Sequence, residues 1–181
     1  MKRWEEPADV SLDDELVEIA RLNDAATQAS LDSLTVEPAL LLRHLRYYLS
    51  RQSDYRRITH LKERAVELTQ VEGGAQELEG SAIEFSSGSA LAFRIRLEQG
   101  RTGWAVKQFR FHVKLAQPRC VKMVRIHLNR ATARDPLAVP LCHLHIDSSR
   151  PHIPFPIVNP RLVLHLVCQH LEPDIGQDTQ P

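Results

Sequence analysis

Between residues 91 and 146 the chain alternates apolar and polar residues in four separate runs, and this period of two limits its fold more than any other feature. The runs are "LAFRIRL", "KQFRFHVKL", "KMVRIHLN" and "PLCHLHID". Successive side chains of a strand point to opposite faces, so each run sorts into two sets. One set holds Phe93, Ile95, Leu97, Phe109, Phe111, Val113, Val124, Ile126, Leu128, Cys142, Leu144 and Ile146. The other holds Arg94, Arg96, Arg110, His112, Lys114, Arg125, His127, His143, His145 and Asp147. The connecting stretches "EQGRTG", "AQPR" and "RATARDPLAV" carry turn residues, and Pro118, Pro136 and Pro140 keep to the ends of the runs, as proline in a sheet must. The pattern predicts a four-stranded antiparallel meander with one apolar face and one basic, histidine-rich face.

Upstream, the apolar period lengthens to that of a helix. Ser11 is a good N-cap for a helix over 12–30, with Leu12, Leu16, Ile19 and Leu22 on one side. Pro38 suits the first turn of a second helix, "EPALLLRHLRYYLSRQ". Asp54 is read as the cap of a third, "YRRITHLKERAVELTQV", ended by Gly73 and Gly74. Downstream, a proline-rich loop leads to a closing helix, "RLVLHLVCQHL", with Asn159 as its cap and Pro160 as its first residue. The expected fold class is α+β: N-terminal helices, a four-stranded antiparallel meander sheet and a C-terminal helix packed on one sheet face. The expected divisions are a helical part over 1–74, sheet plus helix over 75–174, and a disordered tail over 175–181.

The net charge of zero hides an uneven distribution. Residues 1–36 hold nine acids against three bases, and residues 67–84 hold five glutamates and no base. Residues 94–134 hold eleven basic residues and a single acid, Glu98. Ordinary wet sheet faces mix signs, because like charges directly opposite one another repel. A face so one-sided favours an anionic counterpart, either the protein's own acidic segments or an external polyanion. "RHLRYYLSRQSDYRR" adds a second basic stretch interleaved with Tyr47, Tyr48 and Tyr55, which suits phosphate contact and base stacking.

This leads to a non-catalytic binding module. Arg94, Arg96, Arg110, His112, Lys114, Arg125 and His127 would engage nucleic acid or an acidic protein surface, with a place in a multi-protein assembly expected. The chain carries no GxGxxG, GxxxxGK or GxSxG motif. It has no apolar run of the roughly 18 residues a membrane-spanning helix requires. Its N-terminus has no apolar h-region of the kind a signal peptide carries. Three cysteines without CxxC spacing fit a reducing compartment, so a cytoplasmic location without membrane attachment is expected.

Two other readings start from residues 141–156. His143 and His145 alternate on a strand and can converge on one divalent ion, zinc or manganese, with Asp147 as an oxygen donor. His152, or His127 from a neighbouring strand, would complete the set, as in a metal-dependent hydrolase. The run is similar to the HxHxDH ligand motif of metallo-β-lactamase-type hydrolases, but Ser148 stands where the last histidine belongs. Separately, residues 108–174 resemble the ubiquitin-conjugating fold. Strands of a meander lead to "VRIHLN", then "PLCHLHID", a proline-capped helix "NPRLVLHLVCQHL" and a closing "EPD". That resemblance implies Cys142 as a thioester cysteine and Asn129 as the residue that steadies the oxyanion. Strand alternation, by contrast, puts Cys142 on the apolar face.

Overall fold

The computed structural model describes residues 25, 29, 35–61, 65–116, 121–129, 141–148, 152–156 and 159–171. These form one antiparallel sheet of eight strands with helices against one face. The strands are β1 (Ile58–His60), β2 (Val66–Gln70), β3 (Gln76–Phe85), β4 (Ala90–Gly100), β5 (Gly103–Lys114), β6 (Met123–Asn129), β7 (Cys142–Ile146) and β8 (Ile153–Pro154). Their order in space is β1-β3-β4-β5-β6-β7-β8, with β2 also pairing with β3. The class is therefore α+β. The four period-two runs appear as β4 to β7, each paired with the next, as the alternation predicts.

The sheet is twice the expected size: β3 and the short β8 are not among the expected strands, and the stretch read as a third helix holds strands at 58–60 and 66–70. β1 and β2 occupy that stretch, and both pair with β3. Ile58, Leu61, Ala65 and Leu68 fall at helical rather than strand spacing, so local periodicity does not reveal the strands. Tertiary pairing does: Val66 to Gln70 align residue by residue with Gly80 to Gln76. Gly73 and Gly74, both at positive φ, make the connection between β2 and β3 rather than a helix end. The expected division at 74/75 thus falls inside a hairpin. Of the helix expected over 12–30, only Ala25 and Ala29 are described, and both are helical. The rest of that helix and the 175–181 tail lie outside the described residues.

Helix α1 (Pro38–Asp54) begins at its proline and buries Leu41, Leu45 and Leu49, one apolar residue per turn. Each such burial contributes about 1.5–3 kcal/mol. Helix α2 (Pro160–Leu166) is capped by the Asn159 side chain, which accepts from the Arg161 amide at 3.0 Å, and a single π-helical segment (Val167–Leu171) continues it. Val163, Leu164, Val167 and Cys168 join the α1 leucines, Phe109, Phe111 and Ile126 in one core on the apolar face of the sheet. Polar contacts tie the helices together: Tyr48 Oη to His165 Nδ1 at 2.9 Å, and Gln169 Nε2 donating to Gln52 Oε1 at 3.0 Å.

The centre of the core is aromatic. Phe93 stacks on Phe111 with centroids 5.1 Å apart, and Phe111 meets Phe109 edge-on at 5.6 Å. Phe93 lies over Gly80, its direct cross-strand partner, so closely that a Cβ there would fall 2.2 Å from the ring. Glycine at 80 is thus a packing requirement. Gly80→Ala should destabilise the fold by about 1–3 kcal/mol, as overpacking does. Urea unfolding of the two proteins checks this; equal midpoints would show that the ring has room to move.

Candidate metal and anion site on the polar face

The register of β5, β6 and β7 builds the site. Arg110 stands opposite His127, and His127 opposite His143; His112 stands opposite Arg125, and Arg125 opposite His145. Residues directly opposite share a face with Cβ atoms about 4.5–5.5 Å apart. Two rows of imidazoles and guanidiniums therefore run across three strands, on the face away from the helices.

The imidazoles touch in a chain. His112 Nε2 lies 3.0 Å from His127 Nε2, so one of the two nitrogens carries the shared proton. The His127 ring centroid is 5.5 Å from that of His143 and 5.1 Å from that of His145. His152 enters from the loop before β8, 4.9 Å from His143 and 4.7 Å from His145. One potential ligand atom from each of His127, His143 and His145 lies within 4.8 Å of the others. His152 is not part of that set of three. It packs against it, and His143 and His145 are each only 4% exposed.

Asp147 does not join the cluster. It sits at φ 58°, and its carboxylate accepts from the amides of Lys122 and Met123 at 2.7 and 2.8 Å. Short polar aspartate tolerates that left-handed backbone. Its position is one past the last residue of β7, where the backbone has left the strand geometry that alternation assumes. The oxygen ligand expected from the sequence is therefore a capping group at the end of the β6–β7 pair.

The basic face divides in two. β3, which the four-strand expectation omitted, brings Glu77 and Glu79 alongside β4. Arg94 pairs with Glu79 at 3.4 Å and Glu77 at 3.8 Å; Arg96 pairs with Glu98 at 3.3 Å and Glu77 at 3.8 Å; Lys107 pairs with Glu98 at 3.6 Å. The acidic segment 67–84 thus supplies an internal counterpart for this half. On the other half, Arg110, Lys114 and Arg125 form no ion pair among the described residues. Arg125 Nη2 donates to the Asp147 carbonyl at 3.2 Å, and its Nε is buried without a hydrogen-bond partner among the described residues.

The helical basic stretch does not reach this face, because α1 packs on the opposite one. Three of its five arginines are engaged elsewhere. The Arg46 guanidinium donates to the Val66 carbonyl at 2.6 and 2.9 Å, Arg51 contacts Asp54 and the Tyr55 hydroxyl, and Arg57 donates to Gln169. Cys142 is fully buried in the core, across the sheet from Asn129, whose neighbours Gln108 and His127 share the polar side. The roles implied for Cys142 and Asn129 require both groups on one side of the sheet.

An open cleft of about 320 Å³ lies over the cluster, lined by Gln108, Arg110, Arg125, His127, Asn129, His143, His145 and His152. Among the described residues its lining contains no carboxylate. No family model, curated protein or solved structure matches this chain.

Burial is the main cause that pulls the His127 imidazole down to a pKa of about 3, with His112, His143, His145 and Arg110 adding like-charge repulsion. Burial, Arg125 and Arg110 lower His112 in the same way. Both rings are therefore neutral at pH 7. An unfolded histidine titrates near 6.5. Below that pH the unfolded chain binds protons that the folded chain does not, so stability is complete above about pH 6.5 and falls as pH drops toward about 3. With chelator present, the urea midpoint should be lower at pH 5 than at pH 7.5, a window above the carboxylate range. His127→Gln should flatten that dependence. A midpoint constant across the window would contradict the burial assigned to His127.

Proposed function

We propose that this protein is a metal-binding module whose polar sheet face holds a zinc-type divalent ion on His127, His143 and His145. The observation that carries the reading is the mutual approach of three imidazoles from two paired strands, each offering a ligand atom within 4.8 Å of the other two. Zinc–nitrogen bonds of about 2.0–2.1 Å in tetrahedral geometry put ligand nitrogens about 3.3 Å apart. The three rings close to that spacing by small side-chain rotations, since their backbones are already fixed by the ladder. Neutral imidazole is the ligand form, so His127, which burial keeps unprotonated, is ready to bind at neutral pH.

Three protein ligands leave a fourth position open, the donor pattern of zinc sites that bind or activate an exogenous group. His112 supports the set from behind through its 3.0 Å contact with His127. A hydrogen bond of this kind fixes the tautomer and orientation of a ligating ring.

Titration of chelator-treated protein with zinc, followed by calorimetry, tests the reading. One equivalent should bind. His112→Gln should weaken it by about 10–100-fold, the usual cost of losing an outer partner, and His127→Gln by more. Absence of zinc binding, or an affinity indifferent to His127, would remove the proposal.

A second reading keeps the broader polyanion partner, such as nucleic acid. It is favoured by Arg110, Lys114 and Arg125, which share the polar face of β5 and β6 and have no carboxylate partner among the described residues. On that reading, binding to a short duplex oligonucleotide should weaken by roughly 40-fold between about 50 and 200 mM salt in metal-free protein, the loss for three phosphate contacts. Arg110→Glu together with Arg125→Glu should abolish it. A salt-insensitive or undetectable interaction at low ionic strength would count against this partner.

A further inference from the structure

We propose that the open position of the histidine site takes a phosphate group, held jointly by the metal ion and the guanidinium groups of Arg110 and Arg125. This inference rests on the metal reading above and goes beyond it by naming the class of ligand.

Register places the two arginines. Arg110 is the cross-strand partner of His127, and Arg125 that of His145, so each guanidinium stem starts beside a ligating residue. Both line the same cleft as the three histidines. On the adjoining part of the sheet Arg94, Arg96 and Lys107 are met by Glu77, Glu79 and Glu98, but no such ion pair reaches Arg110 or Arg125 among the described residues. Arg110 and Arg125 have no carboxylate partner among the described residues, and the buried Arg125 Nε has no acceptor there.

Charge balance gives the sign of the ligand. Three neutral imidazole ligands leave a divalent cation uncompensated, and two guanidiniums add to it in a cleft with no lining carboxylate among the described residues. In such a site a bound anion strengthens cation binding. Shape gives the class. Guanidinium forks match the oxygens of phosphate, and Gln108 with its cross-strand partner Asn129 adds amide groups on the same wall. The cleft, about 320 Å³, is at the small end of ligand sites, which suits a phosphate group rather than a large molecule.

Linkage makes the proposal measurable: phosphate must tighten metal binding by the same factor as metal tightens phosphate binding. Cobalt(II), whose visible spectrum reports coordination, replaces zinc in chelator-treated protein. Inorganic phosphate is then titrated in, with acetate as a monoanionic comparison at equal ionic strength. Phosphate should change the cobalt spectrum saturably and lower the cobalt dissociation constant at least tenfold, with acetate much weaker. Arg110→Met and Arg125→Met should each bind cobalt but lose the phosphate effect at least tenfold. Arg94→Met, on the glutamate-paired half, should keep it. A cobalt spectrum indifferent to phosphate, or a response unchanged in both arginine variants, overturns the phosphate assignment while leaving the metal site standing. Failure of the wild-type protein to bind cobalt or zinc overturns both.

Discussion

The site depends on one constraint, the alignment of β5, β6 and β7. Because side chains alternate strictly along a strand, a slip of one residue in any of these pairs would turn every imidazole of that strand to the opposite face. The apolar side opposes such a slip. Phe111, Ile126 and Leu144 lie opposite one another beneath the histidine rows, and the first two are fully buried in the core that α1 and α2 cover. The packing of one face thus sets the chemistry of the other. His127 meets His143 because Phe109 meets Leu128, and Leu128 meets Cys142.

The same ladder explains why the basic residues have two fates. One row crossing the sheet begins with Glu79 on β3, passes through Arg94 on β4 and Arg110 on β5, and ends in His127 on β6 and His143 on β7. Exposed ion pairs such as Arg94–Glu79 contribute little stability, about 0–1 kcal/mol. Their effect here is on potential: they neutralise the β3–β4 end and leave positive charge concentrated beside the imidazoles. His127 and His112 themselves stay neutral, because desolvation and neighbouring cations both oppose the charged form.

Cys142 and Asp147 show how position near a strand end changes a residue's part. Cys142 is the first residue of β7 and follows the alternation, so it is a small core residue among Leu128 and Phe109. Asp147 follows the last residue of β7 and turns back at positive φ to cap the amides of β6. A residue two beyond His145 would share its face only if the strand continued.

Much of this was legible in the sequence. The period of two by itself determined β4 to β7, their neighbour order, the apolar face, and the grouping of His112, His127, His143 and His145 on the polar one. Pro38, Asn159 and Pro160 marked the helix starts for local reasons. Only the tertiary structure decided that 58–60 and 66–70 are strands, because Ile58, Leu61, Ala65 and Leu68 fall at helical spacing and pairing with β3 overrides it. It alone decided that Glu77 and Glu79 neutralise Arg94 and Arg96, since that needs a partner strand whose pattern, broken by Gly80 and Ser81, is weak. It alone decided that His143 and His145 are buried with His127 beside them and Asp147 turned away. Alternation assigns a face; register, strand ends and covering loops decide which groups on that face meet, and those are long-range facts that no local pattern carries.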